Sequence, residues 1–181
     1  MAFWQILILV VLVLVNLFFL LTLIGGLLGA SFGSPFVPSG KKIIAKMVKM
    51  AQIKPGEKVF DLGCGDGRIL FEAEKAGGNC VGVEIAPPIF LIAKLRKFLK
   101  KSKAKIRLGN LFSQKDLKTA DVVFLFLMPP VVEKFYREIW PKLKPGARVV
   151  SHAFEMKKLP PTEKISRKES GHAPIYLFVK N

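Results

Sequence analysis

The sequence predicts an α/β domain with a doubly wound, mainly parallel seven-stranded sheet that ends in an antiparallel hairpin, preceded by one N-terminal transmembrane helix. Three observations carry this prediction: an uncharged apolar start, short apolar runs that alternate with helical patterns, and a final pair of strand-like runs with little between them. The chain has 181 residues, a net charge of +16 and a mean hydropathy of +0.37. Charged side chains are absent from residues 1–40 and frequent afterwards, which excludes a multipass transporter and a disordered tail.

The N-terminal stretch from Phe3 to Ala30 is apolar and uncharged. A spanning helix needs about 20 apolar residues, whereas a cleaved signal peptide has a basic start and a shorter apolar core. We therefore expect residues 1–30 to be an uncleaved transmembrane anchor, with a signal peptide or a buried core helix as the alternatives. Residues 31–40, rich in Pro, Gly and Ser, are expected to link the anchor to a domain over residues 41–181 or to cap its pocket.

Two features bear on the compartment of that domain. Lysines directly follow the anchor, at Lys41, Lys42, Lys46 and Lys49. The positive-inside bias then places the domain of a single-pass membrane protein on the cytoplasmic side, or on its organelle-interior equivalent. Cys64 and Cys80 are expected to be buried thiols rather than a disulfide, and with two distant histidines they predict no metal site.

The elements of the domain follow from apolar periodicity and turn residues. Strands are predicted near residues 58–61, 79–84, 106–108, 121–127, 148–151, 164–168 and 175–179. Helices are predicted over residues 41–51, 68–76, 88–100 and 131–140. A loop with two prolines is expected at 154–162. The apolar residues expected to pack the third of these helices on the sheet are Ile89, Ile92, Ala93 and Phe98.

The stretch after the first strand is the most informative about chemistry. Its glycines, which allow a tight turn and the close approach of a ligand, are Gly63, Gly65 and Gly67. Their G-x-G-x-G spacing differs from the G-x-G-x-x-G of pyrophosphate sites. Asp61 and Asp66 would also repel a phosphate. We therefore expect a cationic or neutral ligand here.

Polar residues also follow the next two strands. Glu84 ends the second strand, where its carboxylate can accept hydrogen bonds from ribose hydroxyls. Asn110 follows the third strand, where its amide oxygen can accept from an adenine amino group while the Leu111 backbone contacts the ring edge; a turn asparagine is the alternative. Because consecutive parallel strands end at the same crevice, these positions predict one nucleoside site.

These motifs resemble the class I S-adenosylmethionine-dependent methyltransferases, with their acid-x-G-x-G-x-G loop, an acid ending strand two and a polar residue after strand three. The resemblance covers residues 41–181 and implies S-adenosyl-L-methionine as the cofactor. Asn110 departs from the family, which more often has Asp there. The cofactor-binding residues that the resemblance implies are Asp61, Gly63, Cys64, Gly65, Asp66, Gly67, Glu84, Ile85, Asn110 and Leu111.

A narrower resemblance combines the apolar anchor with the segments 35–39, 62–68 and 126–130. Together they are similar to the small membrane-anchored protein-lysine methyltransferases, whose eukaryotic members act on the mitochondrial ATP synthase c-subunit and adenine nucleotide translocase. This implies a lysine of a membrane protein as the acceptor. The substrate-contacting residues so expected are Pro35, Phe36, Val37, Pro38, Leu127, Met128 and Pro129.

The segment after the fourth strand favours a lysine acceptor. Met128 stands where enzymes that methylate planar amide or adenine nitrogens carry a side-chain amide. An apolar, proline-stiffened slot suits the aliphatic stem of a lysine; a loop that only covers the sheet end is the alternative. No residue stands out as a general base. His152 is a candidate, but a structural role is the simpler interpretation.

The remaining predictions concern partners. The basic run from Lys94 to Arg107 favours attraction to an anionic bilayer surface over a role in solubility or RNA binding, and we expect no specific nucleic acid. The oligomeric state is not predicted. Two other functions stay open: methylation of a small-molecule or lipid amine, and a non-catalytic tethered module that only binds the cofactor.

Overall fold

Short apolar runs pair into one mixed sheet, described by a computed structural model that covers residues 3–31 and 35–181, without the side chains of 25–31. The strands are β1 (Lys58–Leu62), β2 (Asn79–Glu84), β3 (Lys105–Leu108), β4 (Val122–Leu125), β5 (Arg148–His152), β6 (Glu163–Ile165) and β7 (Ile175–Val179). The helices are α1 (Phe3–Ser31), α2 (Lys41–Ala51), α3 (Arg68–Lys75), α4 (Pro87–Leu99), α5 (Pro129–Glu138) and α6 (Arg167–Ser170).

The strand order, β3-β2-β1-β4-β5-β7-β6, confirms the predicted fold class. β1 lies between β2 and β4, and its last residue, Leu62, is in register with Val83 and Leu125. The chain continues from β1 to β2 on one side, and β4 lies on the other side of β1. Where the strand order reverses in this way, the carboxyl ends of parallel strands open into a crevice.

The C-terminal hairpin is antiparallel, as predicted, because β7 pairs in this sense with both β5 and β6. The sixth strand is shorter than expected and ends at Ile165. Ser166 caps α6 by accepting a hydrogen bond from the Glu169 backbone, and the Glu169 carboxylate accepts one from the Ser166 backbone. This capping box turns residues predicted as strand into a short helix. Residues 154–162 form the expected loop.

Two apolar layers cover the sheet. Side chains alternate between faces along each strand, so Val59 joins the layer packed by α2 and α3, whereas Phe60 joins the layer packed by α5. Met47 of α2 and Phe135 of α5 are completely buried in these layers. The strand ends that define the crevice are thereby held from both sides.

The packing of α4 differs from the prediction. Only Pro88 and Ala93 are buried, whereas Ile92 and Phe98 expose 37% and 77% of their surface. Five positions at 100° each place Phe98 about 140° around the helix from Ala93, so the two cannot face the sheet together. The expectation that Phe98 and Ile92 pack on the sheet is wrong. Ala93 and the half-buried Phe90 of α4 pack in the core instead, and Ile89 is half-buried.

Helix α1 is long and apolar enough, by length and composition, to cross a membrane over Phe3–Ile24. Its 22 residues extend about 33 Å at 1.5 Å per residue, close to the roughly 30 Å of a bilayer hydrocarbon core. All described side chains in this stretch are exposed. The helix ends at Ser31, and residues 32–34 of the expected linker lie outside the described residues. Helix α1 contacts α4.

Substituting Gly82 tests how tightly α3 and the glycine loop pack on β2. A Cβ at this position would lie 2.4 Å from Leu70 Cδ1 and 2.8 Å from Cys64 Sγ. Because both neighbours are buried, Gly82→Ala is expected to lower the free energy of unfolding by roughly 1–3 kcal/mol, measured by urea denaturation. Gly40→Ala, whose Cβ would meet open space, should cost less; equal losses would contradict this description.

Candidate functional site

The loop between β1 and α3 is fastened to the end of β2. The backbone N–H groups of Gly63 and Cys64 donate to the Val83 carbonyl at 2.9 and 3.0 Å. The Gly65 N–H donates to Glu84 Oε2 at 2.9 Å. The loop and the strand-ending acid therefore form one unit at the crevice.

Glycine is required in this loop by both conformation and space. Gly63 and Gly65 have φ values of +77° and +56°, in the left-handed region that side chains disfavour. A Cβ at Gly63 would lie 2.8 Å from Leu127 Cδ2, and one at Gly65 would lie 2.5 Å from Phe36 Cε2. The loop thus brings bare backbone against both neighbouring segments.

Glu84 is buried and accepts three backbone hydrogen bonds. Besides the bond from Gly65, its Oε1 accepts from the N–H groups of Ile85 and Ala86, both at 2.9 Å. A carboxylate offers about four acceptor positions. The carboxylate is therefore fixed in the crevice with little freedom to rotate, and few of its acceptor positions remain for another partner.

Asp61 carries the unpaired carboxyl oxygen of the site. It is 2% exposed, and its Oδ2 has no hydrogen-bond partner among the described residues. Burial, and then the charges of Glu84 and Asp66, raise its pKa to about 8 from an ordinary value of 3.8. A buried carboxylate without a partner is costly, so a cationic group near it would be stabilising.

Asp66, by contrast, is compensated by two arginines. Arg68 forms a bidentate pair with it at 2.9 and 2.6 Å, and Arg96 of α4 is also paired with it. Burial opposes ionisation of Asp66, but hydrogen bonds and charge from Arg68 and then the charge of Arg96 lower its pKa. Arg68 also donates to the Ser39 carbonyl at 2.7 Å, which ties the segment before α2 to the glycine loop.

These groups line a cavity of about 630 Å³ at the carboxyl ends of the strands. Of the residues predicted to bind a cofactor, those that line it are Asp61, Gly63, Cys64, Gly65, Asp66, Glu84, Ile85, Asn110 and Leu111. Of those predicted to contact substrate, those that line it are Pro35, Phe36, Val37, Pro38 and Leu127. One cavity therefore brings together nine of the ten predicted cofactor residues and five of the seven predicted substrate residues.

Three of the predicted site residues lie outside the cavity lining. Gly67, with φ +80°, precedes the first residue of α3. Met128 precedes α5, and its carbonyl accepts the first hydrogen bonds of that helix, while Pro129 is the first residue of α5. In the structure, these three residues form the starts of α3 and α5. Asn110 lines the cavity, but its Oδ1 accepts from the Phe112 N–H at 2.9 Å as a helix cap.

Sequence analysis missed several residues of the cavity wall. They include Thr22 of α1, Ser39, Arg68, Phe126, Pro130 and Lys134. Pro130 and Lys134 are four positions apart and therefore share a face of α5. This spacing is visible in the sequence and could have indicated that the two residues line the same wall. Thr22 is one of the rare polar side chains in an apolar helix, which could also have marked it.

His152 and the two cysteines lie in the core. His152 is 1% exposed, neither ring nitrogen has a hydrogen-bond partner among the described residues, and its ring lies 4.2 Å from that of Phe126. Burial and the charge of His172 lower its pKa to about 4, so it is neutral near pH 7 and lies behind the cavity wall. Cys64 and Cys80 are free, buried thiols, as predicted.

Comparisons with known proteins identify the family of this chain. Residues 61–163 match the profile of the ANTKMT methyltransferase domain. The chain is 37% identical to a protein-lysine N-methyltransferase of Saccharolobus islandicus, over 80% of this chain and 92% of that protein. It is 32% identical to the lysine N-methyltransferase of the ATP synthase c-subunit from Rattus norvegicus, over 66% of this chain and 56% of the longer rat protein.

Solved structures add the cofactor. A structure described as an RNA methyltransferase from Salinibacter ruber in complex with S-adenosyl-L-homocysteine superposes with a TM-score of 0.74 and 31% identity, over 80% of this chain and 94% of that one. Its bound molecule is the demethylated product of S-adenosylmethionine. The chain thus belongs to the ANTKMT methyltransferase family and is a methyltransferase that uses S-adenosylmethionine.

Proposed function

We propose that α1 anchors this chain in a membrane and that the enzyme transfers methyl groups to a lysine side chain of a membrane protein. The observation that carries the proposal is the position of Thr22. This residue belongs to the apolar helix α1, yet it lines the same cavity as Asp61 and Glu84. An acceptor that reaches the cavity would approach beside the anchor. The relatives named for the ATP synthase c-subunit and the adenine nucleotide translocase support the same class of acceptor.

The cofactor would lie against the residues that end β1, β2 and β3. The glycine loop would accommodate its methionine portion, Glu84 its ribose, and Asn110 with Leu111 its adenine. S-adenosylmethionine supplies a sulfonium methyl group that an amine displaces in line, so the protein contributes orientation and the exclusion of water. Asp61, unpaired and buried, would stabilise positive charge on this ligand.

The acceptor would enter along apolar walls. Phe36 and Val37, 43% and 54% exposed, lie on one side, with Leu127 and Pro130 on another. Such walls suit the methylene stem of a lysine. They also disfavour the ammonium form, because desolvation lowers the pKa of a buried amine, and only the neutral amine is a nucleophile. This accounts for acceptor activation without a side-chain general base.

The orientation of the domain follows from charge. Lys41 and Lys42, both exposed, are the first basic residues after the anchor. By the positive-inside bias the domain faces the cytoplasm or the organelle-interior equivalent. Since the chain is a methyltransferase, a tethered module without activity is set aside, and methylation of a small-molecule or lipid amine remains the rival to a protein lysine.

Incubating the full chain with membranes of its source and tritiated S-adenosylmethionine tests the acceptor. Label is expected in a membrane protein band and, after acid hydrolysis, in methylated lysine. Label confined to the lipid extract or to nucleic acid would contradict the proposal. The Glu84→Gln variant gives the label that remains when the cavity is altered. Glu163→Gln makes the same substitution at an exposed position of β6 and serves as its control.

Glu84→Gln is also expected to weaken cofactor binding. The new amide NH₂ would replace an acceptor oxygen, so either a backbone N–H or a ribose hydroxyl loses its partner. A lost buried hydrogen bond costs roughly 1–3 kcal/mol, so affinity for S-adenosylhomocysteine should fall by roughly 5- to 150-fold in isothermal titration calorimetry. Unchanged affinity in a variant with wild-type urea stability would exclude Glu84 from the ribose site.

Asp61 should make the stability of the cofactor-free enzyme depend on pH. Because its folded-state pKa of about 8 lies above its ordinary 3.8, the folded state keeps a proton that the unfolded chain releases. Its contribution is therefore lost as pH rises from about 4 through about 8. Asp61→Asn lacks this effect. The free energy of unfolding of the variant, relative to wild type, should therefore increase with pH over this window, by up to about 1.4 kcal/mol per pH unit.

The same variant tests the proposed role of Asp61 toward the cofactor. A bound cation favours the ionised carboxylate, so cofactor binding near pH 7 should release a proton from wild type. Calorimetry in buffers of different ionisation heat measures this release, which Asp61→Asn should abolish along with part of the affinity. Proton release that is the same in both proteins would exclude Asp61 as its source.

A further inference from the structure

The outward surface of α4 is apolar. Leu91, Leu95, Phe98 and Leu99 expose 59%, 58%, 77% and 69% of their surface, and Ile92 exposes 37%. Spacings of four, seven and eight positions place these side chains on one side of a helix. We name these five residues the α4 apolar face. It lies opposite Ala93, which is fully buried against the sheet.

Such a face is unusual for a helix on a water-exposed surface. Single exposed leucines are ordinary, but a contiguous apolar patch marks a contact site. The exposed residues beside it are basic: Lys94, Lys100, Lys101 and Lys103. No acidic residue occurs between Glu84 and Asp116. An apolar stripe with basic flanks is the pattern of a helix that lies in the interface of an anionic bilayer.

The position of α4 agrees with that pattern. α4 contacts α1, and Pro88 and Ile89 at the start of α4 line the cavity together with Thr22 of α1. The α4 apolar face is therefore close to the helix proposed to span the membrane. A second copy of this chain is a poor occupant, because two surfaces with basic flanks would repel each other.

We propose that α4 lies in the headgroup region of an anionic bilayer with the α4 apolar face inserted toward the acyl chains. α4 would then be a second membrane contact that orients the domain and holds the cavity mouth at the bilayer surface. The inference rests on the proposed anchoring by α1. It extends that proposal, because it adds the α4 apolar face as a contact with the bilayer besides α1.

Lipid-specific quenching tests the insertion. The full chain carrying Leu95→Cys, labelled with the fluorophore NBD, is reconstituted one chain per nanodisc in anionic lipid; the two native thiols are buried. Brominated acyl chains are expected to quench this label, and to quench it less in zwitterionic discs. A label at Glu163→Cys, on β6 at the opposite edge of the sheet from β3, should not be quenched.

A third label separates the inference from the anchor. Val11→Cys lies within α1 and should be quenched if α1 spans the disc. Quenching at position 11 without quenching at position 95 would overturn the inference and leave the anchor standing. Absence of quenching at both positions would overturn both. Equal quenching at positions 95 and 163 would also overturn the inference, since it would show no preferred orientation.

A matched functional comparison uses the double substitution Leu95→Ser and Phe98→Ser. Neither residue lines the cavity, so S-adenosylhomocysteine affinity is expected to be unchanged. Transfer to an acceptor embedded in the same anionic membrane should fall, because the cavity mouth is no longer held at the surface. Undiminished transfer by this variant would contradict the proposed role of α4.

Discussion

The site depends on the attachment of the glycine loop to the end of β2. The Val83 carbonyl and the Glu84 carboxylate accept the N–H groups of three successive loop residues, Gly63, Cys64 and Gly65. An unpaired buried N–H costs on the order of 1–3 kcal/mol, so the loop cannot detach without replacement partners. Because β1 and β2 are parallel neighbours, this one attachment brings the loop, the strand-ending acid and the buried Asp61 to the same edge.

Charge compensation then decides which ligand the edge accepts. Asp66 is neutralised by Arg68 and Arg96, and the Arg68 contact with the Ser39 carbonyl extends this pairing to the segment that covers the loop. Among the residues that the structure describes, Asp61 has no such partner. Because the pKa of Asp61 is about 8, its carboxyl group is largely protonated near pH 7 in the cofactor-free enzyme, and a sulfonium beside it would favour the ionised form, whereas a phosphate would not. Two aspartates that look equivalent in the sequence thus differ in charge compensation and in the direction of their pKa shifts.

The fold and half of the cavity lining were predictable because their signals are local. The position of the glycine loop followed from its place between a predicted strand and a predicted helix. Glu84 and Asn110 were identified because they are polar residues at the ends of predicted strands. Contacts between distant segments were not predictable in this way: Arg96 pairs with Asp66 across 30 positions. Periodicity also could not decide which of two apolar stripes on α4 faces the sheet. The Ser166-x-x-Glu169 capping box, by contrast, was visible and was overlooked.

The contribution of Thr22 has a practical consequence. Thr22 of α1 lines the cavity, so excision of this helix to obtain a water-soluble enzyme would change the cavity lining. Under the proposed function, bulk solvent would then have easier access to the cavity in which the acceptor amine is kept neutral. A shortened protein could bind its cofactor normally and still give a misleading account of turnover.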